Sequence, residues 1–482
     1  MSESQLASVE SAELRSALIG IVGEKGCLFD PSDTAAYCED WRQLFKGSTF
    51  AVVRPATVDE VASVVKLCAA RRIAIVPQGG NTSMVIGATP SADGTQLVLS
   101  LSRMNRIREL DPVDLTMTIE AGVALKAAQE AAIAQDCMLP LSMSSEGSAQ
   151  IGGVLSTNAG GNNTLRYGNA RDQVLGLEVV LPDGSIWNGL RRLRKDNTGY
   201  CLRQLFVGAE GTLGIITAGV LKLVPRPRNL ALALCAVPTV HAALELLVLC
   251  RGFHHDSIQA FEYISGAGLE LVLKHFPDYQ LPLEQRADHY VLVELAGASP
   301  ESGLREGLED VLGKALESGI VVDAVLAASS NQRADLWKLR EGMPDAQKRE
   351  GASVKNDVSV PVSKVPEFMT LAKAACERRF PGVRVVPFGH MGDGNIHFNI
   401  VQPAGGDRAA FMSQDHAIMD TVNEVVRQFD GSFSAEHGIG LIKPYMMEEW
   451  RGGAELETMR RIKAALDPLG IMNPGKVLPS AG

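Results

Sequence analysis

Residues 77–84 read Pro77-Gln78-Gly79-Gly80-Asn81-Thr82-Ser83-Met84 and directly follow a short apolar run, Ile73–Val76. Upstream, Thr57-Val58-Asp59-Glu60 forms a capping box, the usual start of a helix. Four apolar residues then follow at helical spacing: Val61, Val64, Val65 and Cys68. The sequence therefore predicts a helix, a buried strand and a glycine-rich loop whose backbone N–H groups can cradle an anion such as a pyrophosphate.

Two further glycine-rich segments lie in the first half of the chain. One runs from Gly147 through Gly153 to Gly161 and is almost free of charge, and the other is Gly208–Ile216. None of the three segments is the G-x-G-x-x-G fingerprint, which disfavours a nicotinamide enzyme of the Rossmann type. Each segment taken alone fits a tight turn equally well, whereas three of them together favour a ligand cradle.

The composition is that of an ordinary globular protein, with 482 residues, 46% hydrophobic and 21% charged. At ~100–200 residues per domain, this length suggests two or three domains. The formal net charge of −10 argues against a nucleic-acid partner but leaves room for a small anionic substrate. The eight cysteines are scattered without CxxC pairs, which is typical of core residues and not of an iron–sulfur site.

The localisation expected from the sequence is cytoplasmic, without a transmembrane segment. Residues 1–15 lack the basic and apolar regions of a signal peptide. The most apolar stretch, Leu230–Cys250, contains Pro238, His241 and Glu245, and it indicates a strand followed by a helix.

The chain changes character at Pro225-Arg226-Pro227-Arg228, which we interpret as a domain boundary. Before it we expect a helix at Leu14–Val22 and a strand at Val52–Pro55. Beyond it, strands alternate with long helical segments, and a last helix is expected at Leu456–Leu466. The strands are expected at Ala231–Cys235, Tyr290–Leu295, Val385–Phe388 and His397–Val401. This order predicts an α+β domain with helices on one face of an antiparallel sheet.

Two segments near the C-terminal end carry candidate metal ligands. Gly389–Asn399 contains His390 and His397, and Ser434–Gly440 contains the pair Glu436-His437. Two imidazoles and one carboxylate form a catalytic set for Zn²⁺, and almost equally for Mn²⁺, Fe²⁺ or Co²⁺. From spacing alone, histidines at a structural turn and a surface Glu-His pair remain an open alternative.

Four motifs in order resemble those of the vanillyl-alcohol-oxidase-like FAD family, in its D-lactate and D-2-hydroxyglutarate dehydrogenase branch. They are PxGGxTS at 77–83, GSxxIGGxxxTNAGG at 147–161, GxEGTLGIIT at 208–217 and NPGK at 473–476. The resemblance extends from about Phe50 to Leu478. It implies an α+β protein with a two-subdomain FAD-binding domain over residues 1–226, a substrate-binding α+β domain with an antiparallel sheet over 227–430, and a short helical segment over 431–482 that returns to the FAD domain.

The resemblance also implies a set of residues that bind FAD. The set comprises Pro77, Gln78, Gly79, Gly80, Asn81, Thr82, Ser83, Ser144, Gly147, Ser148, Gly152, Gly153, Thr157, Asn158, Ala159, Glu210, Gly214, Ile215, Ile216 and Asn473.

For the second half, the resemblance implies His390, His397 and Glu436 as metal ligands and His437 as the catalytic base. The segment LWKLRE at 336–341 matches a helix whose arginine, here Arg340, grips a substrate carboxylate. Lys355 is a second candidate cation for the substrate, and Asn399 is expected to contact the substrate or a metal ligand.

The substrate implied first is D-2-hydroxyglutarate, then D-lactate, and a third interpretation is the FAD subunit of a glycolate-oxidase-like complex. One departure bears on this order, because Pro344 stands where a threonine that holds the distal carboxylate is often found. The implied electron acceptor is an electron-transfer flavoprotein or a quinone, and a homodimer is implied as well.

We predict that the flavin is bound without a covalent link. Some relatives attach FAD through a histidine in the first glycine-rich loop, and Thr82 occupies that position here. Acid precipitation of the purified protein should release all of the yellow colour into the supernatant. Flavin retained in the washed precipitate would contradict this prediction.

Overall fold

The structure is a computed structural model that describes the backbone of residues 3–479 and the side chains of residues 12–479. Within this range, no helix has both the length and the apolar character needed to cross a membrane. The helices are α1 (Glu3–Val22), α2 (Pro31–Cys38), α3 (Val58–Arg71), α4 (Leu125–Ala134), α5 (Ile151–Ser156), α6 (Thr164–Tyr167), α7 (Ala170–Gln173), α8 (Arg203–Phe206), α9 (Val240–His254), α10 (Gly266–His275), α11 (Leu304–Glu317), α12 (Ser330–Glu341), α13 (Met343–Glu350), α14 (Val365–Arg379), α15 (Arg408–Met412), α16 (Asp415–Arg427), α17 (Met447–Arg451) and α18 (Ala454–Leu466).

The strands are mostly short in the first half and longer in the second. They are β1 (Cys27–Leu28), β2 (Ala51–Val53), β3 (Ile75–Gln78), β4 (Leu97–Ser100), β5 (Ile107–Asp111), β6 (Thr116–Glu120), β7 (Cys137–Met138), β8 (Val174–Val180), β9 (Ile186–Asn188), β10 (Ile215–Lys222), β11 (Val224–Pro225), β12 (Asn229–Val237), β13 (Ile258–Ser265), β14 (His289–Gly297), β15 (Asp323–Leu326), β16 (Ser353–Val354), β17 (Asp357–Ser359), β18 (Arg384–Gly389) and β19 (Asn395–Val401).

The chain forms two compact units. The first contains the described residues up to Ala159, then Asn169–Pro225, and those from His437 onward; the second contains Gly160–Gly168 and Arg226–Glu436. The break at residue 225 lies within one residue of the predicted domain boundary. The units differ from the predicted domains in two places, because residues 160–168 cluster with the second unit and the return to the first occurs at His437 instead of residue 431.

The first unit contains the predicted helix–strand–loop segment. Thr57 caps α3 by accepting a hydrogen bond from the Glu60 N–H at 3.2 Å, and the four apolar residues at helical spacing are fully buried. The reciprocal bond of the capping box differs from the expectation, since the Glu60 carboxylate accepts from the Ala56 N–H at 2.7 Å. The following strand lies two residues later than predicted, at Ile75–Gln78, and pairs in parallel with β4, as does β2. The N-terminal helix is longer than predicted and covers Glu3–Val22.

A five-stranded antiparallel sheet, ordered β5-β6-β10-β8-β9, forms the rest of the first unit's core. The glycine-rich stretch after residue 147 becomes the short helix α5, which packs on this sheet. A Cβ on Gly152 would lie 2.8 Å from the Ala121 Cβ, so only glycine permits this approach.

The second unit is built on one eight-stranded antiparallel sheet, in which β14, β13, β18 and β19 are consecutive neighbours. The four strands predicted here are present, each extended by two to four residues. The prediction of helices on one face is wrong. Leu232, Leu234 and Leu292 face a core shared with α10, α12 and α13, while α9 and α11 contact β12 and β14 as well. The alternate residues of these strands are also buried, which requires a second layer of helices.

The end of the chain packs against the first unit's glycine-rich region. The Ile75 N–H donates to the Ile471 carbonyl, and the Asn473 N–H donates to the Ile75 carbonyl, both at 2.8 Å. The buried Glu210 carboxylate accepts from the N–H groups of Ile439 and Gly440, each at 2.8 Å. Its side chain therefore holds the loop that follows His437, and its predicted contact with FAD stays a prediction.

We predict that Glu210→Gln loosens this loop. A glutamine offers one acceptor oxygen, so one of the two buried N–H groups loses its partner, at a cost of about 1–3 kcal/mol. Amide hydrogen exchange in peptides covering 437–443 should accelerate, by about 5- to 150-fold at that cost. The matched control is Glu130→Gln, an exposed glutamate of α4 in the same unit, and exchange as slow as in this control would contradict the prediction.

Candidate active site

The two histidines lie on a hairpin formed by β18 and β19. His390 begins the turn, and His397 on β19 pairs with Phe388 on β18. Gly389 has a φ of 138°, and a Cβ there would lie 3.1 Å from the Asn395 carbonyl oxygen. This glycine allows the turn to close and brings the two imidazole rings to a centroid distance of 5.5 Å.

Glu436, the last residue of the second unit, lies beside both histidines. Its N–H donates to the Asp357 carboxylate at 2.9 Å, which fixes the backbone beside β17. Its Oε1 lies 3.6 Å from His390 Nε2, and its Oε2 lies 3.8 Å from His397 Nε2. The structure thus brings together the three predicted ligands, whose donor atoms all lie within 4.8 Å of one another.

These separations exceed the ~2.7–3.2 Å of a hydrogen bond. Two ligands that are each ~2.1 Å from a tetrahedral ion lie ~3.4 Å apart, close to the two distances found here. Three potential electron-pair donors therefore face one point without bonding to one another, and this donor set fits a divalent cation.

Each histidine has an acidic neighbour on the side away from Glu436. His390 Nδ1 lies 2.7 Å from Glu262 Oε1 on β13, and His397 Nδ1 lies 3.8 Å from Asp357 Oδ1. Carboxylates in these positions orient metal-binding imidazoles and increase their basicity. The sequence interpretation missed both acids, although an acidic residue inside the apolar run of β13 was a signal that could have been noticed for Glu262.

The electrostatics of the site follow from burial and this concentration of carboxylates. Burial alone would lower the pKa of His390, but the charges of Glu262 and Glu436 raise it to about 9. Burial alone would raise the pKa of Glu262, but His390 and Arg340 lower it to about 2. Burial, together with the negative charge of Asp357, raises the pKa of Glu436 to about 7. A cation is therefore favoured electrostatically at this point.

Arg340, the predicted carboxylate clamp, is buried near the end of α12. Its Nε donates to Glu262 Oε2 at 2.7 Å, and its guanidinium lies 4.7 Å from the centroid of the Phe388 ring. Its two terminal nitrogens bond to no other described residue, so they can still receive a carboxylate.

The other two predicted substrate contacts, Asn399 and Lys355, lie on β19 and between β16 and β17. The Asn399 amide is buried, donates to Gln347 Oε1 at 2.8 Å and accepts from the Asn356 N–H at 3.2 Å. Lys355 is half-buried between β16 and β17. His437 follows Glu436 directly and begins the last segment of the first unit. Pro344 lies in the first turn of α13, where a missing N–H is tolerated.

The first unit contains the predicted cofactor residues around the loop after β3. A Cβ on Gly80 would lie 1.9 Å from the Ser148 carbonyl oxygen, so this loop meets the segment 147–153 backbone to backbone. Asn81 adopts the left-handed conformation with a φ of 52°. Gln150 Oε1 and Asn473 Oδ1 are among the buried side-chain oxygens of this unit that have no hydrogen-bond partner. The close backbone approach and the unsatisfied oxygens fit a polar ligand such as FAD.

Several predicted cofactor residues have side chains that already bond to the protein. Gln78 donates to two backbone carbonyls, Ser83 accepts from two backbone N–H groups, Thr157 donates to the Gly153 carbonyl, and Asn158 accepts from the Arg171 N–H. Contacts from these residues to a cofactor would therefore come mainly from their backbones.

The other predicted cofactor residues differ in exposure. Pro77, Gly79, Thr82, Gly153 and Ala159 are half-buried, Ser144, Gly147 and Ser148 are exposed, and Gly214, Ile215 and Ile216 are buried at the start of β10.

Similarity to known proteins identifies the family. Residues 226–477 match the model described as FAD linked oxidases, C-terminal domain, and residues 50–189 match that of an FAD binding domain. A D-2-hydroxyglutarate dehydrogenase of Xanthomonas citri pv. viticola is 37% identical over 93% of either chain. The mitochondrial D-2-hydroxyglutarate dehydrogenase of Bos taurus is 38% identical over 94% of this chain and 81% of its own.

Solved structures show the same fold at lower identity. A p-cresol methylhydroxylase superimposes with a TM-score of 0.74 at 18% identity, covering 96% of both chains. An alkyldihydroxyacetonephosphate synthase gives the same TM-score and identity over 96% of this chain and 86% of its own. The chain therefore belongs to the FAD-linked oxidase family, has the vanillyl-alcohol-oxidase-type fold, and is an FAD-dependent oxidoreductase that acts on a hydroxy acid.

Proposed function

We propose that this chain oxidises D-2-hydroxyglutarate to 2-oxoglutarate with FAD and a divalent metal ion. The observation that carries the proposal is the convergence of His390, His397 and Glu436 within 4.8 Å, with Arg340 joined to the same cluster through Glu262. Relatives that are 36–38% identical over more than nine-tenths of this chain carry the name D-2-hydroxyglutarate dehydrogenase, which supports the choice of substrate.

The proposed metal ligands are His390, His397 and Glu436. Two imidazoles and one carboxylate leave coordination positions open for substrate, as catalytic sites require. Zinc is the proposed ion, and manganese, iron or cobalt would be accepted by the same ligand types.

The chain's own residues bind the substrate and move the proton. Arg340 binds the C1 carboxylate through its two terminal nitrogens, and Lys355 binds the distal carboxylate. His437 accepts the proton of the C2 hydroxyl as a neutral imidazole. When bound, FAD would supply the hydride acceptor for C2, and a metal ion held by the three proposed ligands would supply the charge that lowers the pKa of the C2 hydroxyl. Loss of one proton and one hydride converts the 2-hydroxy acid into the 2-oxo acid.

D-lactate is the second candidate substrate, and Pro344 favours it. Proline offers neither a hydroxyl nor an N–H to a second carboxylate. D-lactate has one carboxylate and needs one cation, so Lys355→Ala separates the candidates. A kcat/KM that falls for D-2-hydroxyglutarate supports the dicarboxylate, and a kcat/KM that stays unchanged for both acids supports the monocarboxylate.

The physiological context is proposed from the resemblance. The proposed acceptor is an electron-transfer flavoprotein or a quinone, the proposed assembly is a homodimer, and the proposed location is the cytoplasm, although several relatives are named as mitochondrial proteins. The alternative of an FAD subunit in a glycolate-oxidase-like complex predicts no turnover by the isolated chain with an artificial dye.

We predict that one D-2-hydroxy acid bleaches the bound flavin under anaerobic conditions. Absorbance at about 450 nm is followed for a panel of D- and L-acids, with and without a chelator. D-2-hydroxyglutarate should reduce the flavin fastest, the chelator should abolish reduction, and Zn²⁺ or Mn²⁺ should restore it. Reduction that is indifferent to the chelator would disprove the metal role, and the absence of reduction by every acid would disprove the dehydrogenase.

We also predict that His437→Asn slows flavin reduction by about 10²- to 10⁴-fold, the usual contribution of a general base. The FAD content of the protein should remain unchanged, so that the slower rate reports the loss of the base. His241→Ala, at an exposed position of α9, is the control. Stopped-flow reduction rates for His437→Asn within threefold of the control would contradict the assignment.

A further inference from the structure

Glu262 holds two of the proposed site residues at the same time. Its side chain is 1% exposed, its Oε1 lies 2.7 Å from His390 Nδ1, and its Oε2 lies 2.7 Å from Arg340 Nε. We infer that Glu262 is a positioning residue that fixes the metal-binding nitrogen of His390 and aims Arg340 at the substrate carboxylate. The inference rests on the proposed function and names the residue that links its metal site to its substrate site.

The contact with His390 decides which ring nitrogen faces Glu436. An ionised carboxylate only accepts hydrogen bonds, so the proton of the neutral imidazole is held on Nδ1. The lone pair is then on Nε2, the nitrogen that lies 3.6 Å from Glu436 Oε1. The opposite tautomer would place a proton where the metal ion binds.

The contact with Arg340 determines the direction of the guanidinium. Glu262 takes the Nε edge of the guanidinium, and the Phe388 ring lies 4.7 Å from its carbon. With one edge and one face occupied, the remaining edge carries the two terminal nitrogens. That edge is the one able to bind a carboxylate through two parallel hydrogen bonds.

An amide cannot replace this carboxylate. In Glu262→Gln, one end of the side chain becomes a donor, whereas both partners are donors. If the amide nitrogen faces His390, it forces the proton onto Nε2; if it faces Arg340, two donors oppose each other and the guanidinium moves. The first arrangement weakens metal binding by His390, and the second displaces Arg340 from the substrate carboxylate.

Glu294 provides a matched control on the neighbouring strand β14. It is equally buried and accepts from Arg333 Nε at 2.6 Å, Trp337 Nε1 at 3.0 Å and Gln259 Nε2 at 2.9 Å. Arg333 lies seven residues before Arg340 on α12, which is about two helical turns. Glu294→Gln therefore breaks a buried carboxylate–arginine contact on the same helix without touching a proposed metal ligand.

The experiment compares wild type, Glu262→Gln and Glu294→Gln as purified flavoproteins. Cobalt affinity is measured on the metal-depleted proteins by titration of the Co²⁺ absorption bands, and KM and kcat are measured with D-2-hydroxyglutarate. Loss of a carboxylate partner of a metal-binding histidine lowers affinity by about 10- to 100-fold. We expect that loss and a raised KM in Glu262→Gln, and a cobalt affinity within about threefold of wild type in Glu294→Gln.

A second variant guards against failure of the amide variant to fold. Glu262→Asp keeps the charge but withdraws it from both partners by about one C–C bond, ~1.5 Å. We expect the same changes in cobalt affinity and KM, at smaller size.

The possible results distinguish a failure of the positioning role of Glu262 from a failure of the proposed metal site. Equal cobalt affinity in wild type and both Glu262 variants, or equal losses in Glu262→Gln and Glu294→Gln, would overturn the positioning role and leave the metal site intact. A wild-type protein that binds no cobalt would overturn the metal site itself.

Discussion

A buried carboxylate at the centre of a sheet is the constraint on which the proposed active site depends. Removing one ion from water costs several kcal/mol, which only close partners and additional hydrogen bonds can offset. Glu262 meets this condition because Arg340 and His390 both lie 2.7 Å from its oxygens. The same contacts that make its burial tolerable also order a proposed metal ligand and a proposed substrate ligand.

The sheet topology explains why this arrangement is rigid. β13 lies between β14 and β18, and β18 leads into the turn that carries His390. Helices cover both faces of the sheet, so the strands that position the site have little freedom to move. Asp357 on β17 extends the network, since it accepts from the Glu436 N–H and from the Asn395 side chain. The second unit therefore holds all three proposed metal ligands without requiring residues of the first unit.

In the first unit, close contacts between backbone segments form the region of the predicted cofactor residues. In the second unit, charged side chains form the proposed metal site. Glycines at positions 80 and 152 allow segments to pass at distances that any side chain would prevent. Glu210 then holds the N–H groups of Ile439 and Gly440, in the loop that follows His437. The family motif implies that Glu210 also lies near the cofactor, which stays a prediction.

The sequence by itself determined the features that depend on local pattern. Apolar periodicity and the Thr57 cap predicted α3, the apolar runs predicted the long strands of the second unit, and motif order predicted the FAD family. Strand ends shifted by a few residues, because pairing with a neighbouring strand sets where a strand ends. Only the tertiary structure decided that helices cover both faces of the sheet, that Glu262 joins Arg340 to His390, and that Glu436 meets two histidines about 40 residues before it. These contacts join residues that are far apart in sequence. They form only when whole helices and strands pack together, and the residues that flank each partner carry no information about that packing.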